Sequence, residues 1–123
     1  MDKFIEIYNL RTPDAPPMRV KYCESFGCRL RGFTFRREMS EEEGLLLVQS
    51  RESRMDTSIH MLAVFFDLTV LWIDDSLTIV DKKLAKKWAL AYVPRKPARY
   101  VLEIHPAQWD AYEIGDTLRF EDA

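Results

Sequence analysis

The sequence predicts a mainly β protein: a compact single-domain sandwich or barrel of about seven to nine short strands with one or two short helices. Three observations carry that reading. The apolar residues come in short runs rich in β-branched and aromatic side chains, not in long stretches of helical period. Turn signals separate the runs at close spacing, "RTPDAPP" from Arg11, "DDS" from Asp74, "PRKP" from Pro94 and "IGD" from Ile114. A chain of 123 residues, 47% apolar and 12% aromatic, can fill one core without a metal or disulfide staple.

The elements follow in chain order. A first strand precedes "RTPDAPP", and "MRVKY" after it alternates, with Met18, Val20 and Tyr22 on one side and Arg19 and Lys21 on the other. "SFGCRLRG" offers Ser25 as an N-cap and Gly32 as a stop, which makes a helix of about two turns at most. "SEEEG" has the form of a capping box, Ser40 with Glu43, closed by Gly44 after a single turn. "LLLV" (45–48) and "VLWI" (70–73) are continuous apolar runs, expected of strands covered on both faces. "LTIV", "ALAYV" and "RYVLEI" are three further strand candidates, and "HPAQWDAY" holds a helical turn with Pro106 at its first position. No repeat, low-complexity tract or linker interrupts residues 1–123, which read as one domain.

Charge and cysteine usage narrow the function classes. Eighteen basic against twenty acidic residues leave a net charge of -2, which points neither to nucleic acid nor to an anionic membrane. Cys23 and Cys28, five apart, form no C-x-x-C pair and have no second pair to complete a zinc site, so reduced thiols are expected. "MDKFIEIYNL" has no signal-peptide core and no window of about twenty apolar residues occurs, so a soluble cytoplasmic protein is expected, with no cofactor.

Several stretches together, "CRLRGFTFR", "EEEGLLLV", "TSIHM", "PARYVLE" and "IGDTLRF", resemble the family called domain of unknown function 192, over about Tyr8 to Phe120. The resemblance implies a compact, mostly β domain of sandwich-like topology with one short helix, and no activity. Where that family has a proline followed two residues later by an aspartate, this chain reads "DLT", Asp67 to Thr69, so a role for that aspartate does not transfer. Many members also begin with a secretory or anchoring segment, which this N-terminus is read as lacking.

Candidate functional residues gather around "TSIH". On a strand Ser58 and His60 share one face, but about 7 Å separates such positions, too far for a nucleophile and its base. The plainer expectation for His60 is a histidine satisfied in the core. No spacing joins His60 and His105 as metal ligands, no metal is expected, and His105 beside Pro106 reads as opening a turn. Arg29 and Arg36 lie near the short helix, and Arg99 precedes Glu103 by four residues on one strand face, which suggests an ion pair. If Arg29 or Arg36 instead reached a cleft with Thr57, Ser58 and His60, its guanidinium fork would suit a carboxylate or phosphate. Lys82 to Arg99 is basic with Trp88 and Tyr92 interleaved, a pattern shared by single-strand nucleic-acid platforms and by edge strands with core-facing aromatics and protective lysines. The adjacent carboxylates of Asp74 and Asp75 read as a turn.

No glycine-rich phosphate loop, G-x-S-x-G elbow or H-E-x-x-H helix is present, so nothing supports an enzyme directly. The expected function is a binding or accessory module with a small polar cleft near Thr57 to His60, taking a small anionic molecule or a protein partner. Two alternatives stand beside it: a small hydrolase or lyase with His60 as base and an arginine anion clamp, and a weak single-stranded nucleic-acid binder through Lys82 to Arg99.

Overall fold

Seven strands form one curled sheet in the computed structural model, which describes residues 2–123. They are β1 (Lys3–Asn9), β2 (Met18–Cys23), β3 (Gly44–Ser53), β4 (Leu68–Ile73), β5 (Ile79–Ala85), β6 (Ala98–Ile104) and β7 (Leu118–Asp122), in the spatial order β5-β4-β6-β3-β2-β1-β7. All neighbours are antiparallel except β2 and β3, which run parallel. Two short helices complete the domain, α1 (Phe26–Arg31) and a 3-10 turn (Pro106–Ala111). The curl brings the sheet's two edges together: Thr78 bridges Thr117, and Ile79 N–H donates to the Asp116 carbonyl at 2.9 Å. The molecule is therefore a half-barrel, within the sandwich or barrel class the sequence predicts.

Two apolar layers lie on the two faces of the sheet. Inside the curl, Ile5, Ile7, Val20, Leu46, Leu71 and Leu102 pack with Tyr112. On the outer face, Leu47, Val70, Trp72 and Val101 are covered by residues from outside the sheet, Phe33, Ile59, Met61 and Val64. β4 contributes to both layers, and all six of its residues are buried, which is why "VLWI" is apolar without alternation. Gly44, at the start of β3, is held to glycine by packing, since a Cβ there would come within 2.8 Å of Val20 Cγ1.

The N-cap is formed as expected: Ser25 Oγ accepts from Cys28 N–H at 3.2 Å, and α1 ends at Gly32 with φ 48°. His105 caps the 3-10 turn, its Nδ1 accepting from Ala107 N–H at 3.0 Å. The capping box forms only a turn: Ser40 N–H donates to Glu43 Oε2 at 3.3 Å, but Gly44 immediately enters β3. "LTIV" becomes strand only from Ile79, because Leu77, with φ 60°, still belongs to the turn. "ALAYV" is not a strand. Trp88 takes φ 65° and Pro94 follows, so only Tyr92 makes a ladder-type pair, with Ile59.

The cysteines correct the expectation of reduced thiols. Cys23 at the end of β2 and Cys28 in α1 form a disulfide, with Cα atoms 5.5 Å apart. The Ser25 cap starts the helix two residues after the strand ends, so its first turn brings Cys28 back over Cys23. That pairing removes the support free thiols gave to a reducing compartment. No helix among the described residues is long and apolar enough to cross a membrane.

Candidate functional site

A cleft of about 440 Å³ opens on the outer face of the sheet, between α1 and the segment following β3. Its size falls in the range of small-molecule sites. α1 supplies one wall through Phe26, Arg29, Leu30 and Arg31, and Asp56 to Met61 supplies the other. β3 and β6 form the floor with Leu47, Val101 and Glu103.

The second wall is set by period-two backbone: Thr57, Ile59 and Met61 are buried while His60 and Leu62 are exposed. Thr57 holds the wall to the sheet, its Oγ1 donating to the Ser53 carbonyl at 2.6 Å and its own carbonyl accepting from Trp72 Nε1 at 2.7 Å. Ile59 is pinned by backbone bonds to Tyr92 at 3.0 and 2.8 Å. The alternation that buries Ile59 also turns His60 outward, so the expected core histidine is an exposed residue at the cleft. Its Nδ1 accepts from Leu62 N–H at 3.2 Å, while Ser58 Oγ donates to the Arg54 carbonyl at 3.1 Å. Hydroxyl and imidazole thus line one cleft without bonding to each other.

The arginines divide. Arg29 lines the cleft, with Nη1 donating to the Val48 carbonyl at 3.1 Å and to Gln49 Oε1 at 2.8 Å. Arg31, which the sequence reading did not put in the cleft, stands exposed at its lip. Arg36 lies outside the lining and pairs with Glu43 at 2.7 Å; hydrogen bonding to Arg36 holds the Glu43 carboxyl below its ordinary value. Arg99 does not meet Glu103. Its Nε donates to the Gln49 carbonyl at 3.0 Å and its Nη1 lies 3.6 Å from Asp75. A shared strand face was legible in the four-residue spacing, but the long guanidinium arm reaches across to the β4–β5 turn instead.

Glu103 is the site's least satisfied group. It stands at 5% exposure with Oε1 lacking any hydrogen-bond partner, and burial pushes its carboxyl up to about 7. β6 fixes its position through pairing with Leu45 and Val70, and Gly32, ending α1, closes over it: a Cβ there would lie 3.4 Å from Oε1. A single acid inside the apolar run "YVLEI" was the available signal. Gln49 and Phe33 carried none, since they reach the cleft only through the crossing of β3 and the chain beyond α1.

No three His, Cys, Asp or Glu side chains gather as metal ligands among the described residues. Asp67 accepts from Lys87 N–H at 2.9 Å, while Thr69 is buried with Oγ1 unpartnered. Alternation along β4 puts Thr69 with Leu71 and Ile73 on the inner face, away from the cleft. The basic stretch departs from the edge-strand picture in two ways: Lys82 is withdrawn, donating to the Tyr112 carbonyl at 2.7 Å, and Trp88 does not face the core. Trp88 is 52% exposed and stacks edge-on with Phe65, ring centroids 5.5 Å apart.

Comparison with known proteins adds family and fold. The chain is 39% identical over 85 residues to a UPF0127 protein of Thermococcus kodakarensis, covering 69% of this chain and 52% of that protein. It is 32% identical over 105 residues to a UPF0127 protein of Thermococcus sibiricus, covering 84% of this chain and 66% of the relative. The chain thus spans about half to two-thirds of the length of these relatives. A crystal structure from Sinorhizobium meliloti, provisionally described as a transcription regulator, superposes with a TM-score of 0.84 at 19% identity, over 98% of this chain and 94% of that one. A protein of unknown function from Novosphingobium aromaticivorans superposes with a TM-score of 0.77 at 13% identity, over 96% and 84%. At these identities the two structures speak for the fold alone. The model of domain of unknown function 192, described as Uncharacterized ACR, matches residues 9–120, and the chain belongs to that family.

Proposed function

We propose that the chain is a binding module whose cleft between α1 and Asp56 to Met61 takes a small organic anion. The observation that carries the anion is the pair of guanidinium groups, Arg29 and Arg31, in the lining of an open cleft, and Glu103, a buried carboxyl with an unpartnered oxygen on its floor, supports a ligand there. Leaving such a group unpaired costs about 1–3 kcal/mol or more, a cost that a ligand reaching the floor would offset. Arg29 and Arg31 on the helix wall give the mouth positive charge, and the apolar sides, Leu47, Met61, Val64 and Leu68, suit a hydrocarbon body. Ser58 and His60 stand opposite the arginines and add polar contacts at the rim.

The test is a thermal-shift screen of small carboxylates, phosphate and phosphate esters on the wild-type chain and Arg31→Ala. A carboxylate or phosphate ester that raises the melting temperature of the wild type and not of the variant supports the reading; no stabilisation by any anion at millimolar concentration overturns it. Hydrolase or lyase chemistry through His60 gains nothing from the geometry, because neither Ser58 nor a carboxylate is bonded to the imidazole. The exposed Trp88 and Phe65 pair, with Lys86 and Lys87 just before Trp88 in the chain, supports weak single-stranded nucleic-acid binding as a second reading. Absence of oligonucleotide binding at low salt would remove it.

A further inference from the structure

We infer that the cleft is built for a zwitterion, a small molecule whose ammonium end meets Glu103 on the floor and whose acid end meets Arg29 and Arg31 at the mouth. The inference rests on the reading of the cleft as an anion site and adds the chemistry of the opposite end.

The floor lacks donors. Glu103 Oε1 accepts from nothing: the apolar lining, Leu47, Met61, Val64, Leu68 and Val101, has no N–H or O–H to offer, and the hydroxyl and amide side chains of the lining, such as Thr34, Gln49 and Ser58, make no bond to it. Neither arginine of the wall pairs with it: Arg29 Nη1 donates to Val48 and Gln49, and Arg31 is exposed. A ligand hydroxyl would supply one donor and no charge, whereas an ammonium supplies three donors and the positive charge that a buried carboxylate needs. The mouth is of opposite character, with two guanidinium groups on α1. The other titratable groups lining the cleft are Asp56 and His60, both exposed on the opposite wall; the residues of β3 in the lining, Leu47, Gln49 and Ser50, do not titrate. On the α1 side, a positive rim, apolar sides and an acidic floor therefore follow one another from outside inward. That polarity matches an amine-bearing carboxylic acid with a hydrocarbon spacer, and would bind a plain carboxylate at one end only.

Bound to an ammonium, Glu103 must be ionised, so binding between pH 5 and 7 would release a proton from the carboxyl that burial otherwise keeps protonated.

Three probes separate the ends: 4-(aminomethyl)benzoate, 4-methylbenzoate and benzylamine, titrated calorimetrically into wild type, Glu103→Gln and Arg31→Ala. The expected result is that 4-(aminomethyl)benzoate binds wild type at least about tenfold more tightly than either partial probe. Glu103→Gln, close in shape and checked by its melting curve, should lose that advantage while keeping the affinity for 4-methylbenzoate. Heats at pH 6 should depend on the buffer's ionisation enthalpy for the amine-bearing probe in wild type and not in Glu103→Gln. Equal binding of 4-methylbenzoate and 4-(aminomethyl)benzoate, with loss in Arg31→Ala, would overturn the zwitterion while leaving the anion site standing. No binding of 4-(aminomethyl)benzoate at millimolar concentration would also overturn it, and the thermal-shift screen then decides the anion site separately.

Discussion

Two buried carboxyls in this domain are treated in opposite ways. Asp116, at 6% exposure beside the entry to β7, receives Arg11 Nε at 2.7 Å, Asn9 Nδ2 at 2.8 Å and Glu113 N–H at 2.8 Å. Burial alone would raise its carboxyl, but these donors and the Arg11 charge bring it below the ordinary value. Glu103, at 5% exposure, has an oxygen with no donor and is pushed up to about 7. Asp116 ties the end of β1 to the loop before β7, so its donors come from the elements it joins. Glu103 joins nothing. The same chain that surrounds one carboxylate with three donors leaves another bare, and the bare one faces the cleft.

Substitutions at these carboxyls should have effects of graded size, the largest at Glu103. Glu103 has a folded value of about 7 against 4.5 for an unburied glutamate, so its contribution is fully present below pH 4.5 and lost as pH rises through 7. That loss should amount to about 3 kcal/mol. Glu103→Leu should abolish it and unfold at higher urea than wild type at pH 8; a variant less stable than wild type there would mean that the carboxyl has donors after all. Asp116→Ala should go the other way and lose about 2 kcal/mol at pH 7, because Asn9 and Glu113 N–H are left unpaired. Its depressed carboxyl gives stability that is present above the ordinary aspartate value and disappears as pH falls through the lowered one, so wild type and variant should converge in acid. Replacing the disulfide with Cys28→Ser opens a short loop and should cost about 2 kcal/mol by chemical denaturation. Asp75→Ala, which frees a half-exposed Arg99, should change stability by less than about 1 kcal/mol; a larger loss would make that pair more than a surface contact.

Much of the fold was legible because local rules decide it. Alternation in "MRVKY", the unbroken apolar run of β4 and the Ser25 and His105 caps each depend on neighbours a few residues away. Segment 89–93 misled because its partner is not a sheet strand but the wall at Ile59, and one such pair fixes one residue, not five. The Cys23–Cys28 bond was hidden because spacing alone does not show that a cap will fold the helix back over the strand. The site was half visible. Thr57, Ser58 and His60 line the cleft along with Arg29 and Glu103, whereas Arg36 and Arg99 are held elsewhere by Glu43 and Asp75. Arg31 was missed because a residue's side of a two-turn helix matters only once the helix has a floor beneath it.

The parallel pairing of β2 with β3 has a consequence for how this recess arises. Parallel neighbours cannot be joined by a hairpin, so the chain must leave the sheet after Cys23 and return at Gly44. That excursion is where α1 and the covering Phe33 come from. One wall of the recess is therefore supplied by connectivity before any side chain is chosen. The exposed side chains of this excursion, among them Phe26, Leu30 and Arg31, can be exchanged to suit a different occupant while Phe33 and the Cys23–Cys28 bond keep the crossover on the sheet, which makes that exposed face the part of the fold most open to functional divergence.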